Sequence, residues 1–197
     1  MTDTQWPRYE VFKQDKPHKP HEAVGTVHAP DPEIALQNAR DVYVRRPDCY
    51  SLWVAPESAV FKMTAYELEQ DPAWHVEEIP PDAPPQTYLV FTRQHHRRSM
   101  VAASHVGQVQ ARTPREALRR AMEQEAWTAR PVYLWWIVPQ AAITASQEED
   151  VPSMFAPAQE KTYRDQSHYG GIIFGKHLQK KRQQKQKQPQ EKQERSA

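Results

Sequence analysis

Glycine is scarce in this chain, with five residues among 197, whereas proline occurs eighteen times. Few positions can therefore let the backbone approach a phosphate closely, which argues against a Gly-rich nucleotide-cradling loop. Cysteine is scarcer still: Cys49 stands alone, so no intrachain disulfide can form. Long apolar runs are missing too. The densest, residues 134–138, falls far short of the roughly 20 residues that span a bilayer. The chain opens on polar Met1-Thr2-Asp3-Thr4 instead of a basic then apolar leader, and with a single thiol this leads to the expectation of a reducing, cytoplasmic setting. Charge of one sign is also missing, since 26 basic residues face 25 acidic ones. Eight of the basic residues and two glutamates fall in residues 176–197, leaving 18 basic against 23 acidic residues in 1–175. A mildly acidic body with a basic tail gives no surface-wide attraction to nucleic acid.

What the chain does contain is a repeat. Tyr9-Glu10-Val11-Phe12 recurs as Tyr88-Leu89-Val90-Phe91, displaced by 79 positions. Val24-Gly25-Thr26-Val27-His28-Ala29 then aligns with Val106-Gly107-Gln108-Val109-Gln110-Ala111 at a displacement of 82. Pro32, Ala35, Leu36 and Ala39 align with Pro114, Ala117, Leu118 and Ala121, and Leu52-Trp53 with Leu134-Trp135. The three extra residues belong in the first hairpin loop of the second copy, where insertions cost little.

Each copy reads as strand, strand, helix, strand. Residues 9–13 and 23–28 are short β-branched and aromatic runs around a proline-broken loop, 14–20, which is a hairpin pattern. Asp31 is placed to cap a helix, Pro32 suits its first position, and Ala35, Leu36, Ala39, Val42 and Tyr43 form one apolar face ending before Pro47. In the second copy Thr113 and Glu116 spell a capping box around Pro114. There Gln124 and Glu125 replace Val42 and Tyr43, so the last turn is more exposed or faces a partner. Residues 132–138 form an apolar strand that needs cover on both faces. Residues 65–70, and on to Trp74, suggest a short helix with a turn at Asp71-Pro72.

One helix covers only one face of a three-stranded sheet, and a module of about 70 residues buries too little surface to stand alone. The expected fold class is therefore α+β: two tandem strand-strand-helix-strand modules packed as a pseudo-dimer, with a disordered basic C-terminal tail. The expected organisation is a first repeat at 1–79, a stiff proline-rich linker at 80–87 and a second, diverged repeat at 88–150. A C-terminal extension at 151–175 and a Lys/Gln-rich tail at 176–197 follow.

Catalytic chemistry finds little footing. His18 and His21, His95 and His96, and His105 belong to no H-E-x-x-H, C-x-x-C or E-x-x-H pattern, and the loop histidines beside prolines and arginines read as solvated. Cys49 carries no nucleophile signature and reads as a small packed residue, while G-x-S-x-G is absent. No catalytic, cofactor-binding or metal-ligating residue is assigned. Trp53 and Trp135, taken to share a repeat position, read first as core. Adjacent Trp135 and Trp136 must face opposite sides of a strand, so Trp136 is the stronger candidate for a partner contact, with Phe155, Tyr163 and Tyr169 as further candidates beyond the second copy.

The stretch Trp6-Pro7-Arg8-Tyr9-Glu10-Val11-Phe12, with Val24-Gly25-Thr26-Val27-His28-Ala29, the run Ala35 through Tyr43, Arg45-Arg46 and Ser51-Leu52-Trp53-Val54, closely resembles the PaaB family, the B-type component of phenylacetyl-CoA epoxidase. The family's C-terminal stretch also occurs, as Phe155-Ala156-Pro157-Ala158-Gln159-Glu160-Lys161-Thr162-Tyr163-Arg164, but after the second copy. Family members are single-copy chains of about half this length, so this sequence resembles a tandem-duplicated form. The resemblance implies a non-catalytic subunit that bridges catalytic A-type and structural C-type subunits, with a reductase supplying electrons from NADPH. It implies a di-iron centre in the A-type subunit, no cofactor in this chain, and epoxidation of the ring of phenylacetyl-CoA in aerobic phenylacetate catabolism. A competing reading from the residues alone is a stand-alone protein- or RNA-binding module that uses the basic tail; it lacks an RNP motif and has an acidic body.

Overall fold

The computed structural model describes residues 5–44, 49–71, 73–76, 84–95, 102–149 and 151–160; in the last helix, residue 151 and residues past Ala156 are described by backbone alone. Residues 80–83 of the proline-rich linker lie outside the described residues, as do Tyr163, Tyr169 and the basic tail, while residues 86 and 87 already belong to a strand.

Alternating and β-branched runs form strands β1 (Arg8–Gln14) and β2 (Glu22–His28), and their copies β5 (Gln86–Arg93) and β6 (Ser104–Ala111). Helix α1 (Pro32–Tyr43) begins where the Asp31 carboxylate accepts the Ile34 N–H at 2.8 Å, with Pro at its start. Strand β3 (Ser51–Pro56) closes the first module. In the second, α3 (Pro114–Met122) is capped by Thr113, whose hydroxyl accepts the Glu116 N–H. Here the expected capping box is only half made: the Glu116 carboxylate takes the Arg112 N–H instead of that of Thr113. The reciprocal box occurs at Thr64 and Glu67, which open α2 (Ala65–Gln70). The single turn α4 (Glu125–Thr128) follows α3, with Gln124 and Glu125 exposed, and β7 (Leu134–Pro139) is buried from Leu134 through Val138, as an apolar strand covered on both faces must be.

Two short strands carry no clear signal in the sequence, and they shape the molecule. After a 3-10 turn at Glu57–Ala59 the chain enters β4 (Phe61–Thr64), which pairs with β7 of the second copy and not with its own module. After the matching turn at Gln140–Ala142 comes β8 (Thr144–Ala145), which pairs with β3 of the first copy. The modules thus exchange arms. The described strands form one antiparallel sheet in the order β4-β7-β5-β6-β2-β1-β3-β8, and α5 (Val151–Glu160) follows β8.

That sheet is rolled, not flat. Strands β3 and β4 are six ladder steps apart, about 29 Å in a flat sheet, yet the link from Pro56 to Phe61 reaches at most about 18 Å. Likewise β1 and β5 are three steps apart, about 14 Å if flat, while the rings of Phe12 and Phe91 stand 4.4 Å centroid to centroid. Curling turns one face of each module inward. Phe12, Ala23, Ala55, Val60, Leu89, Phe91, Ala103, Trp136 and Val138 form this shared interior. The outer face of the second module packs under α3, where Tyr88, Val90, Trp135 and Ile137 meet Ala117, Leu118 and Ala121. Leu68 and Trp74, carried over on the first copy's arm, complete that layer. Gly25 and Gly107 occupy equivalent positions for one reason: a Cβ would overlap the Tyr43 ring at the first and the Trp127 ring at the second.

Candidate functional site

The halves meet where β2 lies beside β6, and the pairing there is self-equivalent. Glu22 stands opposite Ser104, its own counterpart 82 positions later, so a local two-fold axis passes between them. The flanking hydrogen bonds obey the same symmetry: His105 N–H donates to His21 O at 2.8 Å and Ala23 N–H to Ala103 O at 2.8 Å. This is the geometry of an isologous dimer contained within one polypeptide.

Strand registers correct the repeat alignment. Phe12 faces Trp53 across β1 and β3, and Phe91 faces Trp136 across β5 and β7, so the counterpart of Trp53 is Trp136 and not Trp135. The shift of one residue moves a side chain to the opposite face of a strand, which is why matching Leu-Trp letters misassigns it. Trp136 therefore faces the rolled interior, 6% exposed, edge-on to Phe12 at 6.2 Å. Trp135 is buried under α3, and Phe155 is buried as well. Trp53 is half-buried against the interior cluster. Of the candidates for partner contact, Tyr163 and Tyr169 lie outside the described residues.

Around the seam sit two polar groups that break the symmetry. The first is a pair of histidines. The sequence pattern predicts a solvated loop residue at His21; instead it is buried, stacked on Trp53 at 3.4 Å, with Nε2 3.1 Å from Ser51 Oγ. Strand pairing at the seam pulls the loop end inward, and the indole supplies an apolar floor. His105 approaches the edge of the same indole at 5.9 Å and lies 5.1 Å from the Phe91 ring, its Nε2 buried without a hydrogen-bond partner among the described residues. Burial, followed by the neighbouring His105, drives the His21 pKa down to about 3; burial also lowers that of His105, against a hydrogen bond to the Gly107 backbone. Both rings are neutral near pH 7. Ala23 and Ala103 occupy the symmetry-related positions. Of the other histidines that the sequence singles out, His18 and His95 are exposed and His96 lies outside the described residues.

The second group is ionic. Glu10, its side chain 5% exposed, accepts from Lys62 Nζ at 2.5 Å, and the same ammonium lies 4.6 Å from the centre of the Trp136 ring. Lys62 also approaches Glu57 at 3.5 Å, and Glu57 is bound by Arg8 through two guanidinium nitrogens. Lys62 rides on β4, so this contact fastens the exchanged arm to β1 of its own copy. In the other half, Thr87, Leu89, Gln140 and Ala145 stand at the corresponding positions, and every charge has been removed. Because Lys62 is partly exposed while Glu10 is not, Lys62→Met should cost about 2–3 kcal/mol by stranding a buried carboxylate. Glu10→Leu alone should cost about 1 kcal/mol or less, since the ammonium can turn to water, and the double variant should be more stable than Lys62→Met. Urea denaturation of the four proteins in the cycle measures the coupling.

Cys49 is buried, and its thiol pKa is pushed up to about 12 chiefly by burial, which leaves no thiolate near pH 7. Among the described residues no three His, Cys, Asp or Glu side chains converge as metal ligands would, and no helix is long and apolar enough to cross a membrane. An open cleft of about 510 Å³ lies on the α1 side, with Glu33, Gln37, Arg40, Thr144, Ser146 and Met154 among its lining.

Together these features define a class: an internally duplicated, arm-exchanged α+β module in which Trp53, Trp135, Trp136, the seam histidines and the Lys62–Glu10 ion pair contribute to its own interior. The chain belongs to the PaaB family, described as phenylacetic acid degradation B, whose model matches residues 5–75 and again 85–173, one match for each copy of a tandem duplication. It is 45% identical over 60 residues to the B-type component of the 1,2-phenylacetyl-CoA epoxidase of Escherichia coli strain K12. That match covers 30% of this chain and 63% of the relative, less than two thirds of its length. No solved structure matches the chain.

Proposed function

We propose that this chain is the B-type subunit of a multicomponent phenylacetyl-CoA epoxidase and acts there as a non-catalytic bridge. In this reading it joins a catalytic A-type subunit, which holds the di-iron centre, to a structural C-type subunit in the cytoplasm, and a reductase delivers the electrons. The observation that carries the reading is the self-equivalent seam at Glu22 and Ser104: one chain presents the two related outer faces that a bridging dimer would present. Filling of the rolled interior by Phe12, Phe91 and Trp136 also favours a supporting role, because large side chains stand where a barrel-like sheet could otherwise enclose a substrate. Partner contact then belongs to the outer sides of the helices and not to Trp135, Trp136 or Phe155, whose side chains are covered.

Co-expression with A- and C-type subunits, followed by native mass measurement, tests this. The expected product is a stoichiometric complex that holds one copy of this chain at each bridge. Failure to co-purify, or turnover of phenylacetyl-CoA by the chain alone, would overturn it.

A further inference from the structure

The internal two-fold relation allows the two halves to be compared position by position, and their outer helices differ most in charge. Residues 30–41, which include α1 except its last two residues, carry Asp31, Glu33 and Asp41 against Arg40, a net charge of −2. The equivalent residues 112–123, which include α3, carry Arg112, Arg115, Arg119 and Arg120 against Glu116 and Glu123, a net charge of +2. Helical spacing sets Arg115, Arg119 and Glu123 in one row and Glu116 and Arg120 in the next, on the side opposite buried Ala117, Leu118 and Ala121.

Local structural roles account for only part of this. Arg115 donates to the Trp74 carbonyl and lies over the Phe61 ring, and Arg120 bonds the Gln110 carbonyl and Glu116. The helix dipole favours Arg119 near the C-terminal end but disfavours Arg112 at the N-terminal end. Arg112 and Arg119 are exposed and form no ion pair among the described residues, and Arg119 stands four residues from Arg115, a like-charged spacing that costs an isolated helix a few tenths of a kcal/mol. Pro30 and Gln37 hold the corresponding places in the first copy.

We infer that the exposed face of α3, through Arg112 and Arg119, docks an acidic surface of a partner protein, and that the α1 face does not bind this same surface. The bridge is thereby polar: duplication has released the halves from carrying one sequence, and they have diverged into two non-equivalent contacts. This rests on the bridging function proposed above.

The test uses the full chain titrated with the co-expressed A- and C-type subunits at low and moderate salt, comparing wild type with Arg112→Glu/Arg119→Glu and with the mirror variant Glu33→Lys/Asp41→Lys. Circular dichroism and thermal melting confirm that each variant folds. The expected result is an affinity loss of about tenfold or more for the arginine reversal, with a flatter salt dependence, and a smaller change for the mirror variant. Unchanged affinity in the arginine reversal overturns the inference alone, whereas absence of any complex with wild type overturns the bridging function and this inference with it. Two controls use the chain by itself: arginine-dependent retention of duplex DNA, or arginine-dependent dimerisation, would assign the face to phosphates or to a second copy and overturn it equally.

Discussion

Trp136→Ala is expected to lower the stability of the isolated chain by about 3–5 kcal/mol. The indole is 6% exposed and touches both halves: it is edge-on to Phe12 from the first copy, lies in a cluster with Phe91 and Val138 from the second, and sits beneath the Lys62 ammonium on the exchanged arm. Truncation would open a cavity at the point where the modules share their core and would remove the aromatic floor under Lys62. Trp136→Phe keeps most of the volume and discards an indole N–H that has no acceptor among the described residues, so a loss of about 1–2 kcal/mol is expected. Trp53→Ala should cost less than Trp136→Ala, because its ring is only half-buried. Urea titration with paired intrinsic-fluorescence and far-ultraviolet circular dichroism readouts would measure all three. If Trp136→Ala unfolded at the wild-type midpoint, the two halves would not share an interior at this residue. Any loss of assembly in that variant has to be read at a temperature where the chain still folds.

Acid is expected to weaken the seam. His21 is held neutral in the folded protein, with its pKa driven down to about 3 from an ordinary 6.5, and His105 shifts in the same direction. A depressed histidine pKa means that the unfolded chain binds the proton more readily. The full stability is therefore present above about pH 6.5 and falls as pH drops toward 3. His21 alone could contribute up to about 4–5 kcal/mol across that window, and access of water to the ring edge reduces this to about 3 kcal/mol. His105 adds to the loss, since two imidazolium charges would face each other across the edge of Trp53. Against its burial, Arg8 and Lys62 hold the Glu57 carboxyl below the usual carboxylate range, so its titration lies outside the interval from pH 6.5 to 5 in which the histidines are read. His21→Phe should flatten stability against pH in that interval. A wild-type curve level from pH 7 to 5 would show that water reaches these rings freely. The arms would then be the element that holds the halves together under acid.

Both experiments probe features that differ in how far they can be read from the residues. The repeat, the helix starts at Asp31 and Thr113, and the apolar β7 strand are legible because caps and periodic patterns act over a few residues. The family is legible for a similar reason, since its motif lies in consecutive runs of the first copy. The exchanged strands are not: Phe61–Thr64 and Thr144–Ala145 are short, and nothing in their letters says which sheet they join. The repeated letters also place Trp53 beside Trp135, whereas hydrogen-bond register sets Trp53 and Trp136 in equivalent places. His21 reads as solvated because its neighbours in the chain are polar or proline, while its neighbours in space are Trp53 and Ser51.

By itself, then, the sequence determined that this protein is two copies of one strand-strand-helix-strand unit, because secondary structure and capping depend on near neighbours along the chain. How those copies became one body emerges in three dimensions, with arms crossing from each to the other and a two-fold axis between Glu22 and Ser104. The physical reason is the curl of the sheet. It brings Phe12 against Phe91 and Lys62 against Glu10 across dozens of residues, and contacts at that separation leave no local pattern to read.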